Sequence, residues 1–387
     1  MTVVTPTLDT SLLAELSRAF AARADAHDRD GSFAFENIEQ LRDAGFLSLV
    51  APRDHGGAGR GLSAAAKVIG LLAEGDPSTA LVLAMQYISH AGIARSTRWP
   101  PRVRQQVFSD AARQGGLINA LRVDPALGSP ARGGLPATTA QRTDGGAWRI
   151  VGHKIYATGI PALRWLLVWA RTDIDGQAHV GSWLVPADSA GIEVIETWDH
   201  VGMRATCSHD AVLTDVVVPA DHAVDVRRPS EWTPDPVSAL WNTVLIAAVY
   251  DGIARAARDW LVGWLNDRVP ANLGASLATL PRSQEAVGDI DARLLVNRRL
   301  ISDTARRTDQ DPQPASAAEA GLVKYVVTQN AHAVVERALS LTGNHGLSRR
   351  NPLERHHRNV LCSRVHTPQD DSSLIAAGRE ALGVRAA

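Results

Sequence analysis

The period of the apolar residues changes twice along this chain, and any fold must answer both changes. Leu12, Leu13, Leu16 and Phe20 recur at helical spacing, as do Ile38, Leu41 and Phe46. From about Leu117 short β-rich runs take over: Trp148–Val151, Lys154–Thr158, Trp165–Arg171, Val180–Val185, Ile192–Ile195 and Ala211–Val218. Turn tokens divide them, among them Thr143-Asp-Gly-Gly146 and Asp173-Ile-Asp-Gly176. Past Pro236 the helical period returns, over about Val237–Asn266, then from Pro281 as a first-turn proline, then behind the capping box Ser316-x-x-Glu319. Ser78, after Gly75-Asp-Pro77, is the expected N-cap of an earlier helix. These blocks predict an α+β chain: an N-terminal helical domain over residues 1–116, a central antiparallel β-barrel or sandwich over 117–225, and a C-terminal four-helix bundle over 226–387. The strands show no βαβ alternation and no GxGxxG run follows one, which argues against a dinucleotide-binding sheet.

Charge and cysteine content narrow the function classes. Forty basic against forty-one acidic side chains leave a net charge of −1, which gives nucleic acid or an anionic membrane no reason to bind. Two cysteines, Cys207 and Cys362, cannot staple 387 residues, so a reducing, cytoplasmic setting is expected. No signal peptide is read at Met1, and the densest apolar stretch, Trp165–Ala170, is too short to span a bilayer. Neither HExxH nor Cys/His ligand spacing occurs, so no metal site is expected, and no GxSxG elbow offers a Ser-His-Asp triad.

Four stretches in order resemble the acyl-CoA dehydrogenase superfamily across roughly Leu41 to Gly383. They are LRDAGFLSLVAPRDHGGAG (Leu41–Gly59), VGHKIYATG (Val151–Gly159), WDHVGMRATCSHDAVLTDVVVP (Trp198–Pro219) and LTGNHGLSRRNPLERHHRNV (Leu341–Val360). The resemblance implies a flavin, FAD or FMN, a small-molecule substrate, and a homo-oligomer, tetramer or dimer. It implies that Tyr156 lies against the isoalloxazine and that the Thr158 hydroxyl points near N5. A planar amphipathic ring needs such a wall and such donors. Taken alone, Tyr156 and Thr158 are equally ordinary strand formers. The run Leu121–Ser129 is similar to the family's phosphate-side loop, with Val123 and Asp124 in place of threonine and glutamate, and implies Ser129, helped by Gly128, as a cofactor contact. Gly343, His345 and Gly346 would lie near the dinucleotide end, with Arg268 and Gln284 assisting from another protomer; the last two read equally as solvated helix residues.

The family's catalytic carboxylate is missing where it is expected. A base must stand within hydrogen-bonding reach of the substrate. Counting from Arg358, Thr367 takes its place, and at the alternative helical position stand Trp241 and Asn242. Asp370 and Asp371 lie three and four residues beyond, and read as the N-cap of a following helix. His366, in a His-Thr-Pro context, resembles the flavin-dependent monooxygenase branch, which includes dibenzothiophene monooxygenase-like enzymes fed with reduced flavin by a separate reductase. A neutral imidazole suits that setting because it donates one proton and accepts another. His366 and Thr367 are therefore the expected catalytic positions. Tyr87, His90, Trp241 and Asn242 are the expected substrate-pocket residues. The leading expectation is a monooxygenase using reduced flavin and O₂. An acyl-CoA dehydrogenase with a displaced carboxylate, and a non-catalytic scaffold, are the alternatives.

Overall fold

The computed structural model describes residues 8–126, 134–233, 235–311 and 315–384. Ser129 and Gly128 fall outside them. Five helices come first: α1 (Thr10–Asp30), α2 (Phe35–Asp43), α3 (Leu62–Gly75), α4 (Pro77–Arg95) and α5 (Pro101–Gln114). The N-cap of α4 is Asp76, two residues before the expected Ser78. Its carboxylate accepts from the backbone N–H of Ser78 and Thr79, and Pro77 fills the first helical position, where its missing N–H costs nothing.

Eight strands follow: β1 (Leu117–Leu121), β2 (Thr139–Arg142), β3 (Trp148–Lys154), β4 (Leu163–Ile174), β5 (Gln177–Pro186), β6 (Ile192–Ile195), β7 (Asp210–Val218) and β8 (Ala223–Arg227). They form one sheet in the order β6-β7-β3-β2-β4-β5-β8, with β1 laid on β4. The sheet is mixed and so corrects the antiparallel expectation: β1 and β2 both pair with β4 in parallel. Residue alternation is the same in both pairing modes, so composition could not tell them apart. The β4–β5 hairpin turns at Asp175 and Gly176, both at positive φ, as a two-residue turn matched to strand twist demands. A second correction matters for function. The expected strand over Lys154–Thr158 ends at Lys154; Tyr156 adopts φ 60 and leaves the sheet.

The C-terminal helices are α6 (Pro236–Asp267), α7 (Pro281–Gln310), α8 (Ala317–Thr342), α9 (Pro352–Leu361) and α10 (Asp370–Leu382). Ser316 caps α8 by accepting from the Glu319 N–H at 3.1 Å, as its capping box predicts. α6 is apolar on nearly every face, from Leu240 to Leu265, and is buried accordingly against α3, α4, α7, α8 and α9. By length and composition it could cross a membrane, which the reading of short apolar runs had overlooked, yet most of it lies inside the protein.

Two arginines join the loop between β6 and β7 to helices before and after the sheet. Arg358 of α9 forks onto Asp28 of α1 at 2.6 and 3.1 Å and also donates to the Val201 carbonyl at 2.8 Å. Arg204 donates to the Asp28 carbonyl at 2.6 Å. Gly202 allows the close approach: a Cβ there would stand 2.3 Å from the Arg358 carbonyl oxygen.

Candidate active site

Where β3 stops, the chain presents Tyr156 outward, 53% exposed, with its ring edge-on to Trp198 and His200 at 6.3 Å each. Trp198 and His200 stack on one another at 3.6 Å. Ala157 and Thr158 are fixed behind this aromatic group. Ala157 N–H donates to the His209 carbonyl, and Asn119 donates to the Thr158 carbonyl at 3.0 Å. The Thr158 hydroxyl accepts from Ser208 at 2.9 Å, which leaves its own proton free for a ligand. Ser208 in turn meets Thr206 at 2.8 Å, beside the joint at Gly202. An exposed aromatic face next to a pre-oriented hydroxyl donor fits a planar heteroaromatic ring such as a flavin.

The same region contains a pair that composition did not single out. Lys154, fully buried, donates to Asp124 at 2.7 Å; Asp124 also accepts from Thr138 and from the Ala137 N–H. Asp124, read as a departure from the family's glutamate, thus holds the start of its loop against the end of β3. Burial pulls Lys154 below its ordinary pKa, and Asp124 pulls it back up.

A second group of residues gathers between α6 and the turn that precedes α10. Asn242 donates to the Thr367 carbonyl at 2.8 Å. Eight residues along the same helix, buried Tyr250 meets His366 Nδ1 at 2.6 Å. Burial holds the Tyr250 phenol well above its usual pKa, so it keeps its proton. Burial, with a smaller push from Lys324, takes His366 down to about 4, so the imidazole is neutral near pH 7. A buried phenol needs an acceptor, and His366 Nδ1 is its only side-chain partner among the described residues. The tautomer follows: Nδ1 accepts and Nε2 carries the proton. Tyr250 was missed at the level of sequence because it sits inside the apolar run of α6; its hydroxyl was the available signal.

No carboxylate joins this group among the described residues. Asp370 is bonded to Gln329 at 2.8 Å and lies 3.9 Å from Lys324. Asp371 accepts from the Ser372 N–H, and both acids occupy the first turn of α10 behind the N-cap Gln369. The remaining predicted residues are dispersed. Tyr87 is fully buried and donates to the Phe46 carbonyl at 2.8 Å. His90 is fully buried, edge-on to Phe108, with no hydrogen bond at either ring nitrogen. Trp241 is buried in the main core. Arg268 at the end of α6, Gln284 near the start of α7, and Gly343 and His345 beyond α8 are all at the surface. Gln284 donates to the Ala278 carbonyl, and His345 lies 5.6 Å from Trp264. A cleft of about 930 Å³ between α3, α6 and α7 contains none of the predicted residues, and Arg255 and Arg258 in its wall are paired with Glu74, Asp251, Asp259 and Asp291. Among the described residues no cluster of potential metal ligands is found.

Comparison with known proteins spans most of the chain. Residues 9–97, 124–216 and 244–370 match the N-terminal, middle and C-terminal domains of acyl-CoA dehydrogenase. A putative acyl-CoA dehydrogenase of Bacillus subtilis, YdbM, is 32% identical over 377 residues, covering 96% of this chain and 95% of the relative. The structure of KijD3 with FMN and an amino-sugar nucleotide superposes with a TM-score of 0.85 at 25% identity, over 98% of this chain and 95% of that one. FMN-bound TdsC from Paenibacillus sp. A11-2 also gives 0.85, at 21% identity and 97% coverage of both chains.

Proposed function

The chain belongs to the acyl-CoA dehydrogenase family of flavin-dependent oxidoreductases, and within it we propose that the protein is a monooxygenase acting with reduced flavin and O₂ on a small organic substrate. The observation that carries this reading is chemical. At the turn where an acyl-CoA dehydrogenase needs a base, the hydrogen bonds run between Asn242 and Thr367 and between Tyr250 and His366, and the neighbouring acid is committed to Lys324 and Gln329. The His366 imidazole is neutral near pH 7, its Nδ1 lone pair is taken by Tyr250, and its Nε2–H is left to donate. The likeness to KijD3 bound to FMN supports a flavin as the cofactor.

Bound reduced flavin supplies two electrons for O₂ activation. The chain supplies the rest. Tyr156 and Thr158 would hold the ring, Tyr156 by its exposed face and Thr158 by its free hydroxyl proton. Tyr250 orients His366, and His366 offers a fixed N–H donor whose charge does not change over neutral pH. Reduced flavin would come from a separate reductase. The exposed side chains Leu295 and Val296 on α7 and Leu374 and Ile375 on α10 suit a homo-oligomer built through the helical bundle.

Mixing the protein with FMNH₂ or FADH₂ and oxygen tests the proposal. Oxygen uptake should run ahead of the return of oxidised-flavin absorbance, and His366→Ala should remove the lag. If the two signals coincide in the wild-type protein, the monooxygenase reading fails. The second reading, an acyl-CoA dehydrogenase, is favoured by the identity to YdbM. It requires flavin bleaching by an acyl-CoA without oxygen, abolished by Asp370→Asn or Asp371→Asn.

A further inference from the structure

The turn that carries His366 has few contacts of its own. Arg364, Val365 and Thr367 are exposed. Yet one buried side chain from another helix reaches both of its ends. Lys324 of α8 donates to the Ser363 carbonyl at 3.3 Å before the histidine and to the Pro368 carbonyl at 2.8 Å after it. Two neighbours on α8 reinforce the grip. His332 is bonded to the Ser363 hydroxyl at 2.8 Å, and Gln329 donates to Asp370 at 2.8 Å. Lys324 and His332 stand eight residues apart on one helix face, with Gln329 three residues before His332, so α8 holds the turn from Ser363 to Asp370.

From this geometry we propose that Lys324 is a positioning residue for His366, clamping the His-Thr-Pro turn at both ends from α8. A residue that only plugged two carbonyls would do the same mechanical work, so electrostatics must separate the two roles. The titratable and charged groups around the turn are Tyr250 from α6, Lys324 and His332 from α8, Cys362 and Arg364 from the turn's own segment, and Asp370 from α10. Of the charges, Lys324 is the one that acts on His366, lowering its proton affinity in addition to burial. Asp370 acts on Lys324 in the opposite sense to burial, a negative charge that partly offsets the ammonium. Acid, lysine and imidazole thus form a series in which the carboxylate offsets part of the ammonium's effect on the ring.

The series makes two predictions of opposite sign. Lys324→Met removes a positive charge and should raise the His366 midpoint by about one pH unit. Asp370→Asn removes the negative charge that offsets Lys324 and should lower it. Both are read by histidine NMR titration of the full-length protein without flavin or substrate. Shifts in the same direction, or no shift, would overturn the proposal. If Lys324→Met fails to fold, Asp370→Asn decides alone: a lowered midpoint supports the clamp, and an unchanged or raised one rejects it. The catalytic meaning rests on the monooxygenase reading, but this titration does not. Opposite shifts without an oxygen-uptake lag would retire that reading and leave the clamp standing.

Discussion

Lys154 and Lys324 are both sealed from solvent, in the sheet and in the bundle, and the two regions treat a buried ammonium differently. The chain has only three lysines among its forty basic side chains, so two of three are interior. Lys154 faces a carboxylate as buried as itself, and Asp124 has its other contacts filled by Thr138 and Ala137. That pair is closed. Lys324 is met by carbonyl oxygens, and its carboxylate is 3.9 Å off and partly exposed. Its charge is less fully cancelled, and His366 feels the remainder. A compact ammonium with three rotatable donors suits both tasks better than a planar guanidinium. In the sheet it fixes a loop; in the bundle it also adds to the effect of burial on a neighbour's proton affinity.

Breaking the closed pair should have the largest effect. Asp124→Leu strands a buried ammonium and should cost about 3–5 kcal/mol, measured by urea unfolding. Adding Lys154→Met should restore most of the loss; a single-variant loss below about 1 kcal/mol would mean that the pair is not closed. Lys324→Met should cost less, about 1–3 kcal/mol, because it leaves unsatisfied carbonyls and no fully buried charge. A cost equal to that of Asp124→Leu would erase the contrast. Smallest in stability is Tyr250→Phe, at about 1 kcal/mol. It should still release the imidazole tautomer, seen as a mixed Nδ1/Nε2 signature in the ¹⁵N spectrum. A single unchanged tautomer would show that something other than Tyr250 orients His366.

The layout of the chain was readable because helices and strands impress different periods on the apolar residues. The parallel pairing of β1 and β2 with β4 was not, since register and direction depend on distant partners. Two local runs drew the eye to segments that carry polar networks: Lys-Ile-Tyr-Ala-Thr, expected as a strand, holds the end of β3 and the departure from it, and His-Thr-Pro lies in the turn before α10. The partners of those runs were hidden. Tyr250 looked like one more large residue in a core helix, and Lys324 like an interruption in Leu322-Val323-Lys324-Tyr325-Val326. Both lie far along the chain from the turn that they serve, Tyr250 by 116 residues and Lys324 by 39 from its nearer end. Asp124 looked like a weakened copy, although one methylene fewer still allows a 2.7 Å contact with Lys154.

Synthesis runs from the amino end, so α6 leaves the ribosome before α7, α8 and α9 exist to cover it. For that interval a segment oily enough for a bilayer has α3 and α4 as its main shelter. A nascent chain halted near Asp267 should therefore attract chaperones or membranes, and the finished chain should not.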